Sequence, residues 1–182
     1  MENTKMQNYI KDVLVNMPAA WLNLTTHRLD IYTEKLAKTE FLEQFKVLYA
    51  NNNSEAGALN ELPTAFDYIR LGHPLSCLLE WAIADSQGIN ANKVISFCSK
   101  TVPVLSILRT NLLKDKNTII YYKGELPAMF KSDVLNTVYG YHFEIKQVNN
   151  PNEILASKDS VVFVSEEDDI CEFSLNSNID FF

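Results

Sequence analysis

Apolar residues in the first part of the chain recur at helical spacing, as Tyr9, Ile10 and Val13 do. This period predicts a helical N-terminal region. The polar stretch NNNSEAG that follows is typical of a linker. The pattern therefore predicts two parts: a helical region with its linker in residues 1–57, and an α/β domain in residues 58–182.

In the second part, short apolar runs rich in β-formers alternate with longer helical patterns. Helices are predicted at 75–85, 102–113, 126–140 and 150–157, and strands near 93–98, 118–123, 142–148 and 160–165. Such alternation predicts a three-layer α/β/α fold around a mostly parallel sheet. Ligands of these sheets bind beyond the carboxyl ends of the strands, where the strand order reverses.

Composition narrows the function classes. The chain has 182 residues, of which 47% are hydrophobic, so it can bury a core. A net charge of −7 argues against a nucleic-acid partner, because such binding is driven by cationic side chains. With neither a signal-peptide pattern nor an apolar run of ~20 residues, we expect no membrane association and a cytoplasmic location. The three cysteines lack a CxxC spacing, which predicts buried free thiols.

The segment FDYIRLGHPLSCLLEWAIADSQG holds the strongest local motif. Tyr68 and Arg70 precede a turn formed by Gly72 and Pro74, and a helix follows at once. The planar guanidinium of an arginine can donate two charge-assisted hydrogen bonds to a phosphate, and a tyrosine hydroxyl can donate another. The motif is therefore a candidate anion site. The alternative is structural, with Tyr68 packed, Arg70 paired to Asp67 or Glu80, and residues 72–74 forming only a turn.

This segment resembles the pyridoxal-phosphate (PLP) enzymes of cysteine and methionine metabolism, the cystathionine synthase and lyase family. The resemblance spans residues 62–170, and His73 and Leu75 depart from it where the family has Asn and Thr. It implies the first half of a PLP-transferase large domain. It also implies that Tyr68 and Arg70 reach across a dimer interface to the cofactor phosphate of the neighbouring subunit. The matching positions are Tyr68, Arg70, Gly72, Pro74, Leu79, Glu80, Ala84 and Gly88.

Other positions depart from the family's site. Ser99, Lys100 and Thr101 stand at its phosphate-binding turn, but Lys100 replaces a glycine, and Leu126 replaces a tyrosine that stacks on the cofactor ring. The family's Schiff-base lysine and pyridine-pairing aspartate have no counterpart before Phe182. The resemblance thus implies a pseudoenzyme with no catalytic residues and no bound PLP. Its vestigial phosphate site would comprise Tyr68, Arg70, Ser99, Lys100 and Thr101.

Two functions follow as hypotheses. The first is association, as a homodimer or as a hetero-oligomer with a full-length PLP enzyme to which this chain supplies Tyr68 and Arg70. The alternative is a small-anion or nucleotide-binding module, in which Ser99–Thr101 donate at a helix N-terminus. An enzyme of another class ranks third.

Two smaller features complete the prediction. His142-x-Glu144 offers two metal ligands on one strand face, but no third ligand follows by spacing, so no metal site is predicted. The C-terminal residues NIDFF are expected to dock, since two terminal phenylalanines are costly to expose.

Overall fold

The computed structural model describes residues 2–22, 39–63, 73–126, 130–166 and 175–182. The chain divides into two compact units, Met1–Ser96 and Phe97–Phe182, a division that falls later than the compositional change at residue 57. The described helices and strands are α1 (Glu2–Asn16), α2 (Phe41–Ala50), α3 (Ala56–Asn60), α4 (Pro74–Ser86), α5 (Val102–Leu113), β1 (Thr118–Tyr122), α6 (Ser132–Thr137), β2 (Phe143–Gln147) and β3 (Ser160–Val164).

The first unit is helical and its core is aromatic. Helix α1 buries Met6, Tyr9 and Val13, at the spacing the sequence predicts, so a helical N-terminal region is confirmed in 2–22 and 39–50. Residues 23–38 lie outside the described part of the chain. Ring contacts, edge to face except in the stacked pair Phe41–Phe45, join the rings of this core, which are Tyr9, Trp21, Phe41, Phe45, Tyr49 and Trp81.

Helix α4 has clear start and stop signals. The His73 Nδ1 atom accepts a hydrogen bond from the Leu75 N–H at 3.3 Å, and Pro74 occupies the first helical position. At the other end Gly88 adopts a φ of +64°, and the Ile89 N–H donates to the Ala84 carbonyl at 2.9 Å. The predicted helix and its glycine stop are both confirmed.

The second unit contains a three-stranded parallel sheet with the order β2-β1-β3. Thr118 is in register with Phe143 on one side of β1 and with Ser160 on the other. Three predicted strands and their parallel direction are confirmed, and α5 covers the predicted range 102–113. The fold is therefore α/β.

The strand predicted at 93–98 is wrong. The Ser96 N–H, which a ladder would need, donates instead to the Glu80 Oε1 atom at 2.8 Å, and the Ser96 hydroxyl donates to the same oxygen at 2.8 Å. Ile95, at the centre of that apolar run, is 69% exposed. The resemblance to the PLP enzymes implies a strand directly before Ser99, so the element order departs from that family here.

The cysteine prediction is only partly right. Cys77 is a buried thiol on α4, whereas Cys98 is exposed just before α5. Its exposure follows from the missing strand, which would have placed it in the sheet. Cys171 lies outside the described residues.

The two faces of the sheet are covered differently. Val104 and Leu108 of α5 and Leu135 of α6 pack on Ile120 and Val162. On the opposite face the cover comes from a 3₁₀ turn and the C-terminal segment, whose Ile154 and Ile179 pack near Val161 and Phe163. That cover lies over β3 and leaves Glu144 and Lys146 of β2 exposed.

Two predicted helices are shorter in the structure. In place of a helix over 150–157 there is a 3₁₀ turn, Pro151–Glu153, because the Pro151 and Ile154 carbonyls accept hydrogen bonds from Asn176 and Asn178 side chains at 3.1 and 2.9 Å. Of the predicted 126–140, only Ser132–Thr137 is helical in the described residues. Its extended lead-in lets Phe130 pack against Phe143, with ring centroids 5.7 Å apart.

The C-terminal residues dock on the outer edge of β3, as the sequence predicts. Phe181 forms a parallel bridge with Val162. The Phe163 N–H donates to the Phe181 carbonyl at 2.8 Å, and the Val161 N–H donates to an Asp180 carboxylate oxygen at 2.9 Å. This segment therefore occupies one of the two edges of the sheet.

Candidate functional site

The strand order places a topological switch point in the second unit. From central β1 the chain crosses to β2 on one side and then returns past β1 to β3 on the other. Loops that leave neighbouring β1 and β3 therefore diverge at their carboxyl ends, the usual location of a ligand in such folds. The next chain segment after β3 begins at Ser165 and Glu166.

The predicted tripeptide Ser99–Thr101 lies at the start of α5 and reaches this end of the sheet through Lys100. The Lys100 ammonium pairs with the Glu166 carboxylate, although the two side chains are 74% and 76% exposed. The Thr101 N–H donates to the Ser99 Oγ atom at 3.3 Å, and the two hydroxyl oxygens lie 3.1 Å apart. Each side chain of the tripeptide thus has a partner within the protein.

This geometry is poorly suited to an anion. The Glu166 carboxylate would repel a phosphate placed against Lys100. Pro103 removes one of the backbone N–H groups that a helix start normally presents to an anion. An exposed ion pair is weak, however, so Lys100 can exchange its partner at little cost.

Tyr68 and Arg70, the remaining residues of the predicted phosphate site, lie outside the described residues. Glu80, which the sequence offered as a structural partner for Arg70, accepts hydrogen bonds from Ser96. The five predicted site residues are therefore not brought together by the described structure.

A pocket of ≈ 460 Å³ lies at the opposite, amino end of the strands. His142 and Glu144, the pair for which the sequence predicts no metal site, line it together with Asp159. Among the described residues no group of three His, Cys, Asp or Glu side chains could hold a metal ion. Ligands of α/β sheets bind at the carboxyl ends of the strands, so the switch point is a better candidate site than this pocket.

Near this end a small polar group is buried between α5 and the sheet. The Asn111 Nδ2 atom donates to the Thr118 Oγ1 atom at 2.9 Å, and Ser160 is fully buried in register with Thr118. The Ser160 hydroxyl has no hydrogen-bond partner within the described part of the chain. The bond fixes α5 against the start of β1, so its role is to position the helix.

The outer edge of β2 is a feature that the sequence analysis missed. The Thr118 N–H donates to the His142 carbonyl and the Val148 N–H donates to the Tyr122 carbonyl, at 3.2 and 3.0 Å. In a parallel ladder the alternate residues then direct their N–H and C=O groups away from β1. These outward residues are Phe143, Ile145 and Gln147. No strand of the described sheet pairs with them.

Two opposite charges flank the centre of that edge. The Lys146 Nζ atom lies 2.7 Å from the Glu144 Oε2 atom and 6.0 Å from the centre of the Tyr121 ring. The hydrogen bond with Glu144 raises the pKa of Lys146 above its usual value. Both charges stand on the face that α5 and α6 do not cover.

An apolar groove of ≈ 300 Å³ adjoins α6 on the other face. Leu105, Val134 and Leu135 line it, and the ring of Tyr139 stacks on that of Tyr141 at 5.8 Å between centroids. Tyr141 lies two residues before β2. The strand edge is therefore preceded in the chain by exposed apolar surface.

Comparison with protein-family models, with curated proteins and with solved structures gives no match. None of the helices in the described residues has the length and apolar character to cross a membrane.

Proposed function

We propose that this chain acts by associating with another protein chain, and that the outer edge of β2 is the surface through which it does so. The observation that carries this proposal is the row of outward N–H and C=O groups on Phe143, Ile145 and Gln147. Unpaired backbone groups along a strand edge are a template for another strand. The sheet's other edge already has such a partner in the C-terminal segment.

The contrast with the switch point supports association over catalysis. At the carboxyl ends of the strands, Lys100 is paired with Glu166 and Ser99 with Thr101. At the edge of β2, by contrast, no strand of the described sheet pairs with the outward backbone groups. The surface with unused hydrogen-bonding capacity is therefore the edge.

The resemblance to the cystathionine synthase and lyase family supplies a second, separate reason. Under this proposal the chain is a catalytically incomplete relative with a three-layer α/β/α domain, and Lys100 replaces the glycine of the phosphate turn. Added PLP should then give no long-wavelength imine band. A borohydride-reducible adduct on one specific lysine would contradict this part of the proposal and leave association untouched.

Association is tested by measuring molecular mass together with amide exchange. Light scattering over a range of concentrations should show an assembly larger than the 20.8 kDa chain. The outward amides of Phe143, Ile145 and Gln147 should exchange more slowly as concentration rises, because pairing protects them. A monomeric mass with exchange that does not depend on concentration would contradict self-association.

The alternative function is a small-anion module at Ser99–Thr101, favoured by the position of this tripeptide at the start of α5. Phosphate titration of two variants separates it from association. If the site binds anions, Glu166→Gln should strengthen phosphate binding by releasing Lys100, and Lys100→Ala should weaken it. If the ion pair is only structural, neither variant should change phosphate binding.

A further inference from the structure

We infer that the associating partner is a second copy of this chain, and that the two copies pair β2 with β2 in antiparallel fashion about a two-fold axis at Ile145. The inference rests on the proposed function, since it names the occupant of the same edge. It adds a register, and the register makes it testable by single charge reversals.

The hydrogen-bonding pattern limits the possible registers. In a two-fold antiparallel pair the residue on the axis faces its own copy, and the two form a hydrogen-bonded pair only if that residue directs its N–H and C=O outward. Only Phe143, Ile145 and Gln147 do so on β2. An axis at Ile145 lets all five residues of the strand pair, whereas an axis at any other residue places one end of β2 beyond its partner strand. An axis at Glu144 or Lys146 also sets that charge opposite its own copy.

The charges select the same register. With Ile145 on the axis, Glu144 faces the partner's Lys146, and Lys146 faces the partner's Glu144. These are non-hydrogen-bonded positions, where opposing Cα atoms approach to about 4.5 Å and side chains contact most closely. The edge is therefore self-complementary in charge, and the 2.7 Å contact between Glu144 and Lys146 shows that both side chains already stand on one face.

The same charges would oppose other arrangements. Lysine on an edge strand commonly prevents pairing, because it meets apolar or like-charged neighbours on the incoming strand. Here Glu144 and Lys146 each face an opposite charge only when the partner strand is antiparallel with Ile145 on the axis. A segment without that alternation would leave one or both charges without a counter-charge.

The second edge of the sheet does not compete for this role. The Val161 N–H donates to Asp180, and the Phe181 N–H donates to the Val161 carbonyl at 3.1 Å, so the C-terminal segment already uses the outward groups of β3. Pairing through β2 would extend the three described strands of each copy into one continuous sheet of six strands. Both copies would contribute the same residues, as a closed two-fold interface requires.

Charge reversal provides the decisive test. Glu144→Lys places a second lysine opposite Lys146 at both ends of the interface, and Lys146→Glu places two glutamates opposite each other. Each single variant should weaken dimerisation by about tenfold or more, because like charges directly opposite each other are destabilising. The double variant Glu144→Lys/Lys146→Glu restores opposite charges at both positions, so its dimer affinity should return to within about threefold of the original.

Mixing the two single variants gives a stricter outcome. In a mixed pair every opposing position again joins a lysine to a glutamate, so the mixture should form a heterodimer at concentrations where each variant alone is monomeric. Analytical ultracentrifugation or native mass spectrometry would show it. Glu153→Lys, a charge reversal at an exposed position outside β2, is the control and should leave the affinity unchanged.

A backbone variant tests the strand pairing itself. Ile145→Pro removes an N–H that faces away from β1, a position where an edge strand tolerates proline. It should abolish dimerisation while circular dichroism stays that of the folded chain, and Ile145→Val should keep the dimer. If Ile145→Pro fails to fold, the mixing experiment still decides the question.

The outcomes separate this inference from the proposed function. A dimer that resists every charge reversal but is abolished by Ile145→Pro overturns the register and leaves association through the edge of β2 standing. A dimer that resists both kinds of variant overturns the edge of β2 as the surface. A chain that is monomeric at all concentrations overturns the inference and self-association together. An assembly that forms only with a different protein, through the same protected amides, supports the proposed function and overturns the second copy as occupant.

Discussion

The two units of this chain bury their cores by different means, and the difference shows where each has surface left over. In Met1–Ser96 the rings of Phe45 and Trp81 meet edge to face, at 5.4 Å between centroids, in a chain of such contacts between helices. In Phe97–Phe182 the core is mainly aliphatic and lies between helices and a parallel sheet. A helix satisfies its backbone within itself, whereas a sheet always ends in edges.

Loop carbonyls in the helical unit also accept hydrogen bonds from side chains of the same unit. The Tyr9 hydroxyl donates to the Asn53 carbonyl at 2.8 Å, and the Asn16 Nδ2 atom donates to the Ser54 carbonyl at 3.0 Å. The two edges of the sheet differ, because the C-terminal segment pairs with β3 and no strand of the described sheet pairs with the outer side of β2. The first unit therefore has its core closed by ring packing, whereas the second has an edge strand through which, under our proposal, it associates.

The largest expected effect comes from opening the aromatic core. Phe45 is fully buried among three other rings, so Phe45→Ala should lower the free energy of unfolding of the first unit by about 3–5 kcal/mol. Both tryptophans of the chain, Trp21 and Trp81, belong to that unit, so their fluorescence during urea unfolding reports on it.

Val47→Ala is the matched control for this prediction. Val47 lies on the same helix but is 58% exposed, so its truncation should change stability by no more than about 0.5 kcal/mol. Equal losses in the two variants would mean that the rings do not hold this unit together, and the comparison with the sheet unit would fail.

A smaller effect is expected from the buried polar contact of the second unit. Asn111→Ala removes the donor to Thr118 and leaves a buried hydroxyl without that partner, which should cost about 1–3 kcal/mol. Amide exchange of Ile120, at the centre of the sheet, would measure the loss. Thr110→Ala is the neighbouring control, because Thr110 is exposed and bonds only within its helix.

Failure of that pair of variants would also be informative. If Asn111→Ala costs no more than Thr110→Ala, then α5 is held to the sheet by Val104 and Leu108 alone. The second unit would then resemble the first, with a core fixed entirely by apolar packing.

The spacing of hydrophobic residues and the positions of turn-forming residues were enough to predict much of this fold. The strands near 118, 143 and 160, their parallel direction and the range of α5 all followed from local patterns, because each is set by residues adjacent in sequence. The strand at 93–98 was wrong because a side chain distant in sequence, Glu80, takes the backbone N–H of Ser96. No local pattern carries that information.

The candidate site was less predictable, for a related reason. An edge strand is defined by the neighbour it lacks, and the order β2-β1-β3 is a property of the whole sheet. The residues FEIKQ look like any half-buried strand. The strand order shows that Glu144 and Lys146 lie on an edge strand. Their opposite charges can then face the charges of an incoming strand.

The smallest predicted effect is a pH dependence of the stability of the helical unit, which arises from the buried Tyr9 hydroxyl. Burial raises the pKa of Tyr9 to about 12, above the unfolded value of about 10, so folding favours the neutral phenol. The stability linked to this shift is therefore fully present below pH ~10 and is lost as pH rises from about 10 to about 12. Tyr9→Phe cannot ionise and should not show this loss.

At neutral pH the Tyr9→Phe variant should be less stable than the original chain by about 0.5–1.5 kcal/mol, since it lacks the hydrogen bond to the Asn53 carbonyl. That gap should shrink as pH rises through the range in which Tyr9 ionises, because only the original chain must then keep its phenol protonated or bury a phenolate at a cost in stability. Tryptophan fluorescence in urea at several pH values would measure both curves. A gap that stays constant to pH ~12 would mean that Tyr9 titrates like an exposed tyrosine. Solvent would then reach the Tyr9 hydroxyl where it bonds the Asn53 carbonyl. The helical unit would not be closed to solvent there, as its contrast with the open edge of β2 requires.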